Sequence, residues 1–138
     1  MAIRTPNTAP KVLNGTLGAA APLLDFSTTQ AQAYQNPAIT ANTAQRNLGG
    51  GVVFGMWGGN ANGDGFVRAT GLASQNDYLT LITALNNNPA AVISGVYNRA
   101  DLNLDGTMRA TGLSNVNDYL FLVGALDNNP AKVITQHQ

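Results

Sequence analysis

The chain has no cysteine, no glutamate, and a single histidine, His137, one residue from the end of its 138. Without cysteine there are no disulfides, thiolate nucleophiles, iron–sulfur clusters or thiolate zinc sites. One histidine near a terminus supplies neither a zinc cage nor a dependable general base. Charged residues are 10% of the chain, against roughly 25% in ordinary soluble domains. Seven basic residues balance seven acids, so the net charge is zero and non-specific nucleic-acid binding, which needs clustered Lys and Arg, is not expected. The longest nearly apolar run, Leu17 to Leu24, is far shorter than the ~20 residues that span a bilayer. The first residues, Met1 to Pro6, hold no apolar signal core. That leaves a cytoplasmic chain or one read without its signal. Few Lys, no Glu and abundant Asn, Thr, Ala and Gly favour the second, an extracellular or cell-surface protein.

What is present is Asn, Ala and Gly (17, 20 and 15 residues) and an uneven distribution of acid. All seven acids are Asp, and six of them follow Trp57. The cause is an internal repeat. Residues 60–93 align with 101–134 at a constant offset of 41, with 21 identities in 34 positions. The second half is therefore a tandem duplication, with units at 58–98 and 99–138. Residues 1–20 read as an extended N-terminal arm, and 21–57 as strand segments packing on the repeats.

Each repeat opens with Asx-x-Asn-x-Asp-Gly. Side-chain oxygens fall at loop positions 1, 3 and 5, with Gly at 6 for the sharp turn, and the carbonyl of position 7 completes the opening of a calcium loop. In the first repeat the donors are Asn60, Asn62, Asp64 and the carbonyl of Phe66; in the second they are Asp101, Asn103, Asp105 and the carbonyl of Thr107. Position 12, where a bidentate acid usually closes the cage, is Gly71 or Gly112. The next acids are Asp77 and Asp118, expected to close the two cages from the start of a helix after a six-residue insertion. Apolar positions Tyr78, Leu79, Leu81, Ile82 and Leu85, and Tyr119, Leu120, Leu122, Val123 and Leu126, predict one amphipathic helix per repeat, ended by Asn-rich segments and Pro89 or Pro130. Val92–Tyr97 and Lys132–Thr135 read as short strands.

A duplicated Asx-x-Asn-x-Asp-Gly loop followed by one helix resembles the dockerin family, with its paired F-hand calcium sites. The Arg-Ala-Thr-Gly insertion with the following Asn-Asp is similar to a variant found in Bacteroidetes secreted and surface adhesin-like proteins. In that variant a Trp-x-Gly-Asp-x-Asn-x-Asp-Gly motif opens the pair; the stretch Met56-Trp57-Gly58-Gly59-Asn60-Ala61-Asn62 resembles it, with Asn60 where Asp is usual. The resemblance covers roughly residues 50–138. It implies two bound Ca2+ ions and a cohesin-like partner.

The expected fold class is α+β: a β-rich N-terminal part with a duplicated calcium loop–short helix–strand unit. Val52–Trp57 is the clearest strand, with Asp25–Thr29 and Ala38–Thr43 as further candidates. Leu13, Gly15, Leu17, Ala19, Ala21 and Leu23 alternate as in a strand with one small-residue face. Leu13 and Leu17 are its candidate assembly residues, through addition of a strand to a neighbouring subunit. A head-to-tail contact of that kind that does not close propagates as a filament. Trp57 is expected as a core anchor under the first loop, Arg68 and Arg109 as partners of the Asp clusters, and His137 as an exposed tail residue. Asn14-Gly15-Thr16 is a glycosylation sequon. With its Asp committed to metal, the chain has little left for catalysis. The expected function is a non-enzymatic, calcium-binding extracellular structural protein, a homo-oligomer or filament subunit; the alternative is a dockerin-type module.

Overall fold

The computed structural model describes residues 27–95 and 97–137. The arm at 1–20, with Leu13, Leu17 and the sequon, lies outside the described residues. The protein is α+β, with three two-stranded antiparallel sheets and two α-helices among the described residues. It divides into two units: one runs up to Met56 and takes in His137, and the other is Trp57–Gln136.

The first unit holds β1 (Gln45–Gly49) and β2 (Val53–Met56), a hairpin with a bulge between Asn47 and Gly49. Its turn uses Gly50 and Gly51, both at positive φ, and the Asn47 side chain accepts the N–H groups of Gly49 and Gly51. β2 is the strand expected at Val52–Trp57. β1 was not expected, because Gln-Arg-Asn-Leu-Gly has neither alternation nor β-branched residues. Two expectations are corrected. Ala38–Thr43 forms turns and bends, and Asp25–Thr29 is no strand in its described part, where Thr29 caps a 3-10 turn at Gln30–Gln32. Asn36 and Pro37 start a turn, with Asn36 Oδ1 accepting the Ala38 N–H, which takes that backbone out of extended geometry. His137 is also corrected. It is half-buried, its Nδ1 accepts the Asn36 N–H at 2.8 Å, and its Nε2 lies 3.0 Å from the Asn42 carbonyl. Those two bonds suit the neutral ring with its proton on Nε2.

The second unit repeats one set of elements twice. β3 (Phe66–Arg68), α1 (Asp77–Ala84) and β4 (Val92–Ser94) recur as β5 (Thr107–Arg109), α2 (Asp118–Ala125) and β6 (Val133–Thr135). A 3-10 turn precedes each helix, at Ala73–Gln75 and Ser114–Val116. The helices start where they do because Asn76 and Asn117 cap them, accepting the N–H of Leu79 and Leu120. They end in Asn86-Asn87 and Asp127-Asn128, all at positive φ, a conformation that Asn and Asp tolerate better than most residues.

The strands do not pair within a repeat. β3 pairs with β6, and β5 pairs with β4, so each loop strand takes its partner from the other repeat. The core is crossed in the same way. Leu122 of α2 and its C-cap Leu126 pack with Ala61, Val67 and Ala69 of the first loop. Leu81 of α1 and its C-cap Leu85 pack with Ala100, Met108 and Ala110 of the second. Tyr78 and Tyr119 meet in a tilted contact, ring centroids 4.6 Å apart. The buried helix face is narrower than the sequence pattern suggests, since Leu79 and Leu120 are exposed. Gly59 is needed where the first loop meets this core: its φ is +108°, and a Cβ there would stand 2.9 Å from Val67 and 3.0 Å from Leu122. No helix among the described residues is long and apolar enough to cross a membrane.

Candidate functional site

Each loop folds on its own side chains. In the second, Asn103 Oδ1 accepts the Asp105 N–H at 3.1 Å, and Asp105 Oδ1 accepts the Thr107 N–H at 2.8 Å. Asp101, 5% exposed, takes the N–H of Asp105 on one oxygen (3.2 Å) and of Gly106 on the other (2.9 Å). The first loop repeats the inner turns: Asn62 Oδ1 accepts from Asp64, and Asp64 Oδ1 from Phe66. Gly65 and Gly106 at position 6 have φ of +87° and +80°, as the turn requires. The residue following the partner strand then clamps each loop. Gln136 N–H donates to Gly65 O at 2.7 Å, and Gly95 N–H donates to Gly106 O at 2.8 Å.

Position 1 breaks the symmetry. Asn60 Oδ1 accepts only the Gly63 N–H, at 2.7 Å, and its Nδ2 donates to Gln136 Oε1 at 2.9 Å. The first loop therefore presents one oxygen at this position where Asp101 presents two.

Asp77 and Asp118, fully buried at the first residue of each helix, reach back into the loops. Asp77 Oδ1 accepts the N–H of Ala61 (2.7 Å) and Asn62 (3.3 Å), and Oδ2 accepts that of Arg68 (2.9 Å). Asp118 does the same with Leu102 (2.7 Å), Asn103 (3.3 Å) and Arg109 (2.8 Å). Each carboxylate thus ties the start of its loop to the strand that leaves it. This backbone role is not evident from the spacing of the acids alone. The Asn-Asp pair carries its signal: with Asn as the cap, the following Asp is free to turn away from the helix. Oδ2, with a single bond, retains lone pairs for another partner.

Burial raises both carboxyls above the ordinary Asp value. The three backbone bonds to each oppose the shift, and a second Asp in the same loop adds to it, Asp64 acting on Asp77 and Asp101 on Asp118. A second acid of the same loop therefore acts electrostatically on each buried carboxylate. Among the described residues no group of three His, Cys, Asp or Glu gathers; the remaining donors are Asn amide and backbone oxygens. Such an all-oxygen set suits a hard cation such as Ca2+.

Arg68 and Arg109 enter the site by their backbone N–H. The Arg68 guanidinium bonds Gln75 Oε1 at 2.8 Å and lies 4.7 Å from the Phe66 ring. Val116 stands where the first repeat has Gln75, so Arg109 lacks that bond. Trp57 is half-buried against the first loop's core cluster, with Lys132 Nζ 5.6 Å from its ring centroid.

No protein-family model matches the chain, and no curated protein or solved structure is found similar to it.

Proposed function

We propose that the protein is a non-enzymatic, calcium-binding structural subunit of the extracellular space or cell surface. In this reading two Ca2+ ions stiffen the repeat unit, and subunits join through the N-terminal arm into a filament or adhesive layer. The observation that carries it is the pair of loops, each prefolded by the same inner turns and the same bonds to a buried Asp, with a second acid of the loop acting on that Asp. Like charges held together in a partly desolvated loop cost stability unless a cation joins them. The ligands would be Asn60, Asn62, Asp64, the Phe66 carbonyl and Asp77 in one loop. In the other they would be Asp101, Asn103, Asp105, the Thr107 carbonyl and Asp118. The role is structural, because each loop is followed by one short helix and is entered by none, so it lacks the helix pair that opens in a sensor.

Negative-stain microscopy of the full chain tests the assembly. Filaments are expected in calcium and lost in chelator, and also lost on deletion of residues 1–20. Monodisperse particles in calcium would overturn it.

A second reading is a dockerin-type module that docks on a cohesin-like partner. It is favoured by Leu72 and Leu113, equivalent residues of the two repeats that are 71% and 76% exposed. Under this reading Leu72→Asp with Leu113→Asp abolishes partner binding, and deletion of residues 1–20 leaves it intact.

A further inference from the structure

We propose that Arg99 is a built-in cation that holds down the calcium affinity of the first loop, so that the second loop loads first. This rests on the calcium reading above and names what regulates one of its sites. Arg99 lies in the second repeat, yet its Nη1 donates to the Asn62 carbonyl at 3.2 Å. A Cβ built on Gly63 would stand 3.6 Å from the same nitrogen. The guanidinium therefore lies against positions 3 and 4 of the first loop. Lys132 pairs with Asp127, and among the described residues no carboxylate is found within ion-pair distance of Arg99. Its charge is left to act on the loop.

The second loop has no equivalent. The residue 41 positions before Arg99 is Gly58, which has no side chain to reach across. The asymmetry compounds the one at position 1. Asn60 removes a negative charge from the first loop, and Arg99 adds a positive one beside it. An approaching divalent ion meets repulsion there that is absent at the second loop.

Calcium titration of the full chain by calorimetry tests this, in an Asp105→Ala background that silences the second loop. Arg99→Gln removes the charge and keeps a donor, and Arg99→Lys keeps the charge. At low salt, Arg99→Gln is expected to tighten the first site about tenfold, the order expected of one exposed charge acting on a divalent ion through water-like screening. In about 1 M salt, where the Debye length is about 3 Å, the gain should vanish. Arg99→Lys should leave the site weak. An unchanged or weaker first site in Arg99→Gln would overturn the proposal. So would a gain that persists at high salt, since that reports a change of shape rather than of charge. Titration of the chain with both loops intact separates this from failure of the calcium reading itself, which would leave the second loop silent as well.

Discussion

Tyr78 meets its own repeat counterpart, Tyr119, ring to ring at 4.6 Å with planes inclined at 50°. A residue that contacts its equivalent lies on the local twofold axis relating the repeats. Everything else in the unit is exchanged about that axis: loop strand with terminal strand, helix with the opposite loop. Neither repeat has a sheet or a core cluster made only of its own residues.

The pair should therefore couple the repeats measurably. Tyr78→Ala and Tyr119→Ala are each expected to cost about 2–4 kcal/mol of stability. A double-mutant cycle by chemical denaturation should return a coupling of about 0.5–1.5 kcal/mol. Strict additivity would mean that the rings touch without contributing.

The two kinds of Asp in a loop should separate by their dependence on metal. Asp118 holds three backbone N–H groups, so Asp118→Asn is expected to cost about 1.5–3 kcal/mol even in calcium-free buffer. Asp105 is exposed and holds the short turn to Thr107, so Asp105→Asn should cost much less without metal and abolish tight calcium binding. Equal calcium-free losses would contradict the division of labour.

In the calcium reading, site charge is expected to order the affinities. The second loop offers Asp101, Asp105 and Asp118; the first offers Asp64 and Asp77. The tighter calorimetric event should vanish in Asp105→Ala and survive Asp64→Ala. Asn60→Asp is expected to tighten the first site by roughly one order of magnitude, since ligand charge count is a lever on calcium affinity.

pH should act in opposite directions with and without metal. Asp77 and Asp118 have folded values raised above the ordinary 3.8, chiefly by burial. Between the ordinary and the raised value the folded state binds more protons than the unfolded one, so stability falls as pH rises through that window. Calcium-stripped protein is thus expected to gain Tm, from these two groups, as the pH is lowered from neutral toward about 4. Calcium-loaded protein should lose Tm over the same range, because protons displace the metal. Differential scanning calorimetry on both forms checks the sign.

Leu104 sits at loop position 4 with φ +61°, where the first repeat has Gly63 at +77°. Its side chain is 84% exposed, so nothing is gained by burial. Leu104→Gly is expected to stabilise the protein by about 1 kcal/mol by removing the left-handed penalty. A loss of stability in the denaturation curve would show that Leu104 is held by contacts outside its own loop.

Whatever local chemistry decides is legible in the order of residues alone. The Asx-x-Asn-x-Asp-Gly spacing sets the inner turns, because the side-chain oxygens at positions 3 and 5 each reach a backbone N–H two residues on. Asn76 and Asn117 start the helices by capping them. The expected strands at 53–56, 92–94 and 133–135 carry β-branched residues between turn formers. The strands at 66–68 and 107–109 were not legible. Phe-Val-Arg and Thr-Met-Arg are too short for a pattern, and they exist because a partner lies beside them. Which partner was likewise outside local reach. Two near-identical repeats allow β3 to pair with β4 or with β6 on the same residue types, and only the packing of Leu122, Leu126 and Ile134 under the first loop selects the crossed arrangement. The placements of His137 and Arg99 follow the same rule. His137 looks like a tail residue until Asn36 and Asn42 come beside it, and Arg99 looks like a surface charge until the crossing brings the other repeat's loop beneath it. Tertiary structure decided these positions because each depends on a contact between residues 37 to 101 apart in the chain, a separation at which neither spacing nor propensity carries information.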